Sequence, residues 1–373
     1  MTSFPTKWYC CFVVLLLFSL QAYSQINITG RVVDENNDRP LPGASVYFNN
    51  TTIGTYTNQQ GEFYFDAINL LNTELVISYP GYELLVYKPI EAQIKGKKIL
   101  FKLQINKLAQ KTKLQLGDEV RKGWLNVFYQ SFLGNTEEAS KATITNAQQI
   151  YFTEGNSKSS IAAYADTPLV IINKMLGYKI SYNLVEFLYD DATGQNYFYG
   201  YARYDEPGDS KRWIKNRQRC YYGSTLHFYR SLIAHDLYRQ GFGVFLLQPV
   251  KDTLLKSNPV GDANKLPFSP VVPVPMTEVQ ILYIDSTNNY SIRLNGQLLV
   301  QYNKNTATQN YLNQQIYMEG NLDKGVESRI LFKTSPIELN SEGVPSDATS
   351  IEYTGYWMYE KLANKLPYNY QPD

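Results

Sequence analysis

Three segments decide the fold of the first part of the chain: Ile26-Asn-Ile-Thr-Gly-Arg-Val-Val-Asp34, Pro40-Leu-Pro-Gly-Ala-Ser-Val-Tyr-Phe48 and Gly54-Thr-Tyr-Thr-Asn-Gln-Gln-Gly-Glu-Phe-Tyr-Phe65. Ile26, Ile28, Gly30 and Val32 alternate with polar neighbours, and so do Ala44, Val46 and Phe48, then Phe63 and Phe65. A period of two puts each set on one face of a strand. Asp34 to Pro40, Asn49-Asn50 and Gln60-Gly61 supply turn chemistry between them. Further on, Leu75, Ile77 and Tyr79 alternate, Pro80-Gly81 turns the chain, and Leu84 to Tyr87 and Ile99 to Leu103 come next. About seven short strands over residues 26–104 predict a small antiparallel β-sandwich.

The pattern resembles the carboxypeptidase-regulatory-like domain in Gly30-Arg-Val-Val-Asp34, Pro40-Leu-Pro-Gly-Ala-Ser-Val46, Gly54 to Phe63 and Tyr79-Pro-Gly-Tyr82. That family usually carries Asp where this chain has Asn58. The resemblance implies a transthyretin-like sandwich, non-catalytic, of the kind found at the front of exported and outer-membrane proteins of Bacteroidota, TonB-linked receptors included. The chain beyond the sandwich is too short for a receptor barrel. The zinc-peptidase pattern of a His with Glu three residues later does not occur, because His227 and His235 have Arg230 and Tyr238 at that spacing.

Upstream, residues 1–24 read as a signal peptide. Lys7 precedes the apolar run Trp8 to Leu20, and Ala22 and Ser24 are the small residues a signal peptidase accepts before cleavage. The run is too short for a stable span, and no later stretch reaches the length of a transmembrane helix. Cleavage removes Lys7, Cys10 and Cys11, so the 35 basic residues fall to match the 34 acidic ones and Cys220 is the only thiol left. An exported chain without an internal disulfide must rely on its hydrophobic cores. The charge balance argues against a nucleic-acid partner. Tyrosine, at 32 residues, favours ordered β structure over disorder.

Downstream, residues 105–119 read as a polar linker, and 120–373 as an α+β region with antiparallel sheet and a few helices. From Asp118 a helix is predicted through Val120, Trp124, Val127, Phe128 and Phe132, with Gly134 ending it and a short helix near Thr136. Tyr178 to Leu184 and Tyr197 to Tyr201 alternate as strands. Ser224 is placed to cap a helix running to about Arg239, before Gly241. Tyr290 to Leu294, Asn295-Gly296 and Leu298 to Tyr302 predict a tight hairpin. Pro259 to Pro275 predict a surface loop, and Tyr356 to Tyr359 a short helix. Phe132-Leu-Gly134, Gly177-Tyr178 and Tyr222 to Leu232 also resemble an uncharacterised region that comes after the regulatory-like domain in Bacteroidota envelope proteins.

No catalytic residue, metal site or cofactor site emerges. Two His and one Cys are too few for a His/Cys zinc site, and no glycine-rich phosphate loop occurs. The ligand-binding candidates are Arg212, Trp213, Arg217, Tyr221, Tyr222, His227 and Arg230, because Arg and aromatic side chains together recognise carboxylates, phosphates or sugars. The same residues also fit an Arg-rich helix face paired with carboxylates. The expected role is binding or assembly at the periplasm or outer membrane, with an envelope protein or glycan as partner and peripheral membrane association. The alternative is an envelope hydrolase acting on peptide or glycan, with acids drawn from Glu186, Asp190, Asp191 and Asp205.

Overall fold

The strand alternation at the front of the chain builds two facing sheets in the computed structural model, which describes residues 26–67, 73–89, 96–106, 113–155, 157, 159–208, 210–249, 271–287, 289–304, 311 and 326–372. One sheet has the order β4-β1-β7, from β1 (Ile26–Asp34), β4 (Glu62–Ala67) and β7 (Lys98–Leu103). The other has the order β3-β2-β5-β6, from β2 (Ser45–Phe48), β3 (Gly54–Tyr56), β5 (Leu75–Ser78) and β6 (Leu85–Tyr87). Ile28, Val32, Val46, Phe48, Leu75 and Ile77 are fully buried between them. The expectation of a wholly antiparallel sandwich needs one correction: β7 runs parallel to β1. Alternation reports which face a residue occupies and is blind to strand direction, which the crossover from β6 to the opposite sheet decides.

Two positions show why these turns and strands have the residues they have. A Cβ on Gly30 would lie 2.5 Å from the Phe63 ring and 2.8 Å from the Ile99 carbonyl, so glycine lets Phe63 lie across β1. Asn58 replaces the usual Asp and still closes its turn, because its Oδ1 accepts the amides of Gln60 at 3.0 Å and Glu62 at 2.9 Å.

The second region opens with α1 (Asp118–Phe132), which ends before Gly134 at φ 102°, and α2 (Glu137–Ser140), capped by Thr136. Phe128 and Phe132 of α1 are fully buried against Phe187, Tyr182 and Phe198. Each such side chain contributes about 2–3 kcal/mol on burial. The sheet beneath is built on β12 (Tyr178–Asp190). One edge of β12 pairs first with β11 (Leu169–Asn173) and then with β10 (Ser160–Ala165); the other edge pairs with β13 (Asn196–Asp205), with a bulge at Leu184/Glu186. β8 (Ala142–Ile144) and β9 (Ile150–Glu154) complete it.

After β13 come α3 (Lys211–Tyr221), α4 (Thr225–Ile233) and α5 (Leu237–Gln240). A second pair of sheets comes next. One has the order β15-β14-β18-β19-β21, from β14 (Phe242–Pro249), β15 (Val271–Pro275), β18 (Gln297–Tyr302), β19 (Val326–Phe332) and β21 (Ile351–Gly355). The other has the order β16-β17-β20, from β16 (Leu282–Ile284), β17 (Tyr290–Ile292) and β20 (Ile337–Leu339). α6 (Glu278–Ile281) precedes β16, and α7 (Tyr356–Tyr359) closes the series.

Three expectations are corrected here. The Asn295-Gly296 hairpin does not form: β17 pairs with β16 and β20, whereas β18 pairs with β14 and β19. Gly296 has φ 125°, but Asn295 is not among the positive-φ residues, so the two positive angles of a tight primed turn are absent. Partners distant in sequence on both sides of Leu298, Val300 and Tyr302 outweigh the local turn signal. The helix starting after Ser224 stops at Ile233, where His235 at φ 53° redirects the chain before α5 ends at Gly241, φ 98°. Pro273 and Pro275 belong to edge strand β15, a position that tolerates missing amide donors. The signal-peptide assignment, and most of the proline-rich stretch, lie outside the described residues.

The sandwich is hydrogen-bonded to the second region. The Asn50 amide donates to Ala202 O at 2.7 Å and the Tyr204 amide to Thr51 O at 2.9 Å, a parallel bridge along the free edge of β13. Asn49 Oδ1 accepts the Ala202 amide at 3.1 Å. Arg203, 7% exposed, donates to Ser45 Oγ and Thr55 O, each at 3.1 Å, pairs with Asp205, and stacks on the Tyr56 ring at 4.2 Å. Asn183 bonds both Tyr47 OH, at 2.8 Å, and Ser78 Oγ, at 2.9 Å. At the end of the linker segment, the Leu114 amide donates to Phe152 O. Arg203→Ala removes a buried cation from this seam and should lower unfolding stability by about 3 kcal/mol. Urea titration of the mature chain checks the value; an unchanged midpoint would mean the seam carries no stability.

Candidate functional site

The seven residues singled out from the sequence are distributed over three surroundings. Arg212 is exposed, and Trp213 covers Gly177 while its Nε1 donates to Lys174 O at 3.2 Å. Arg217 is 4% exposed. Its Nε donates to Leu176 O at 2.8 Å, Nη1 pairs with Glu206, and the guanidinium lies 4.1 Å over the Tyr178 ring. It therefore holds the 174–178 turn to α3, and its planar face is already in use. Arg230 staples the C-terminal segment, donating to Tyr370 O at 2.6 Å, Tyr368 O at 2.9 Å and Glu342 O at 3.2 Å.

Tyr221, Tyr222 and His227 form an aromatic group with Phe242 and Tyr302. Tyr221 and His227 are buried, and only Tyr222 is exposed. His227 Nδ1 accepts the Gly223 amide at 3.1 Å, which leaves Nε2 protonated and donating to Gln240 Oε1 at 3.2 Å. Burial pulls the imidazole down to about 4, so it is neutral at neutral pH. Ser224 Oγ accepts the His227 amide at 3.2 Å as the N-cap of α4. Burial pushes the Cys220 thiol well up, away from thiolate. The hydroxyl, thiol and imidazole nearest one another are thus each held in a structural role. The four acids weighed for hydrolysis do not converge: Asp190 closes a turn with Ser159, Ala192 and Thr193, Asp205 pairs with Arg203, and Glu186 and Asp191 lie apart along β12 and its turn. Among the described residues no three His, Cys, Asp or Glu side chains are grouped to hold a metal ion; Asp34 accepts from Tyr82 OH at 2.6 Å, and Asp38 pairs with Lys102.

A cavity of about 310 Å³ lies where the sandwich, β12–β13 and the C-terminal segment meet. From the sandwich side Asn49, Thr73, Glu74 and Lys88 line it; from the sheet, Tyr182, Phe198, Tyr199 and Tyr204; from α4, Thr225 and Leu226; from the C-terminal segment, Glu360, Lys365 and Tyr368. Its volume falls at the low end of small-molecule pockets, roughly 300–1,000 Å³. Burial raises Glu360 to about 7 and lowers Lys365. Glu138, which adds to the rise at Glu360, is itself paired with Arg219 and bonded to Asn364. Of these wall residues the sequence marks Tyr182 and Tyr199, as alternating strand positions, and gives no sign of Glu360 or Lys365. They stand in the mixed aromatic and charged stretch Tyr356 to Tyr368; their opposite wall comes from residues almost 300 positions earlier, which no local pattern indicates.

Desolvation of His227 carries a pH signature. The unfolded imidazole takes a proton near pH 6.5 and the folded one only near 4, so stability is complete above about 6.5 and is lost as pH falls towards 4. The full loss amounts to about 3 kcal/mol. Urea midpoints measured from pH 7 to 4.5 should fall further for the native chain than for His227→Gln, and parallel curves would refute the assignment.

Among the described residues no helix is long and apolar enough to cross a membrane. Comparison with curated proteins returns no match. Among solved structures, the chain is similar to a Bacteroides fragilis protein of unknown function that bears a provisional membrane-associated label. The two share 10% identity over 43% of this chain and 64% of that one, less than two thirds of its length. The TM-score of 0.17 is too low to transfer fold or function. Residues 28–115, which hold the seven-stranded sandwich and its exit segment, match the family model of the CarboxypepD_reg-like domain.

Proposed function

We propose that this is an exported, non-catalytic protein of the cell envelope that binds a ligand or partner in the periplasm or at the outer membrane, as one body built from the sandwich and the region after it. The observation that carries this reading is the 310 Å³ cavity walled by both parts. A junction between domains is one of the places where small-molecule sites are preferentially built. The sandwich supports the reading as a CarboxypepD_reg-like domain, an accessory module rather than a catalytic one. The structural use of Ser224, Cys220 and His227 supports binding over nucleophilic chemistry. Export rests on the sequence of residues 1–24.

The test is native mass spectrometry of the mature chain purified gently from its own envelope fraction. The expected result is a discrete bound mass or a defined envelope partner that is absent from Thr225→Trp, a substitution that fills the cavity from the start of α4. Turnover of envelope peptide or glycan, lost in Glu360→Gln, would overturn the non-catalytic reading.

A further inference from the structure

Five charged side chains line the cavity, and three already have partners. Glu74 accepts from Asn49 Nδ2 at 3.1 Å, Lys88 donates to Ser346 O at 3.3 Å, and Asp347 accepts from Thr349 and Ser350. Glu360 and Lys365 differ. Both line the cavity, and among the described residues neither forms an ion pair with the other or with any third group. Each opposes the other's charge only from beyond ion-pair distance: Lys365 favours the Glu360 carboxylate, Glu360 favours the Lys365 ammonium, and the neutral Tyr356 hydroxyl eases the carboxylate further. Thr73 adds a neutral group that lacks a partner: it is 5% exposed, lines the same space, and its Oγ1 has no hydrogen bond among the described residues. Thr73 is buried, and Glu360 and Lys365 are half-buried. A polar or charged group left unpaired out of water is costly, and a ligand that pairs it recovers that cost.

The cavity itself suggests a size. Glu360 and Lys365 stand on either side of the 3-10 turn Leu362–Asn364, and both line the cavity. About 310 Å³ is at the small end of ligand pockets, the scale of a dipeptide and not of a longer peptide or glycan. The remaining wall is aromatic and apolar, with Tyr182, Phe198 and Leu226.

Resting on the binding reading above, we infer that the cavity takes a zwitterion of dipeptide size, with its ammonium on Glu360, its carboxylate on Lys365, and an apolar side chain against Tyr182 and Phe198. Both charges of the ligand meet their complements in a half-buried site, where such pairs are stronger than in open water. A neutral sugar would leave Glu360 and Lys365 with only their attraction for each other beyond ion-pair distance.

Calorimetric titration of the full mature chain with glycyl-L-phenylalanine, its N-acetyl form, its C-terminal amide and maltose decides the matter. The free dipeptide should bind at least tenfold more tightly than either blocked form. Glu360→Gln should abolish the penalty for N-acetylation alone, and Lys365→Met the penalty for amidation alone. Circular dichroism checks that both variants fold; if either does not, the comparison of free and blocked dipeptides on the native chain still decides. Equal affinity for free and blocked forms overturns the inference. Binding of maltose without the dipeptide overturns it while leaving the binding reading intact, as does a Thr225-sensitive mass adduct with no dipeptide affinity. No affinity for any probe and no adduct sinks both.

Discussion

The structure depends on the bridge between Asn49–Thr51 of the sandwich and Ala202–Tyr204 of β13. One edge of β13 is satisfied by β12, and the other would present unpaired amides and carbonyls to solvent. The loop after β2 supplies the missing partners through Asn50, Thr51 and the side chain of Asn49. Arg203 sits at the centre of the bridge. Its removal from water is offset by Ser45, Thr55, Asp205 and the Tyr56 ring together, the complete pairing that a buried cation requires. A sheet edge is thus closed by a neighbouring domain instead of another strand, and the sandwich becomes part of the second region's architecture.

The C-terminal segment completes the assembly from the other side. The Tyr368 amide donates to Asn50 O, Asn369 bonds Thr52, and Arg230 holds the Tyr368 and Tyr370 carbonyls. Earlier in the same segment Asn364 meets Thr136 and Glu138 beside α2, and the Asn173 amide group donates to Ala363 O. One short stretch therefore touches the sandwich, α2, α4 and the turn after β11. The cavity lies where these elements converge, and it brings Glu360 and Lys365 of the tail together with Thr73 and Glu74 of the sandwich.

The arginine and tyrosine content of α3 and α4 serves mainly to join these pieces. Arg217 ties α3 to the sheet, Arg219 reaches Glu138, and His227 locks the start of α4 to Gln240. Cation–π stacking and hydrogen bonds to carbonyls are the same contacts that a ligand-binding arginine would make. Residue type alone cannot tell the two uses apart; the number of bonds already made to the protein does.

Composition and local periodicity were enough for the parts of this protein that are locally encoded. The sandwich strands, the helix from Asp118 with its stop at Gly134, the Ser224 cap and the Tyr178 and Tyr197 strands arise from spacing and cap chemistry within a few residues. The direction of β7 and the separation of β17 from β18 were set by partners far along the chain, and they overrode local signals as strong as Asn295-Gly296. The break at His235 is instead closed locally, by the His235 amide on Leu232 O and the Asp236 amide on Ser231 O. The candidate site belongs to this second class. Its walls come from the sandwich, the middle sheet and the tail, and its unpaired charges can be recognised only once burial and every available partner are known. Sequence determined the elements because each is fixed by short-range sterics and hydrogen bonds; tertiary structure decided the site because electrostatic pairing and enclosed volume are properties of residues brought together across the whole chain.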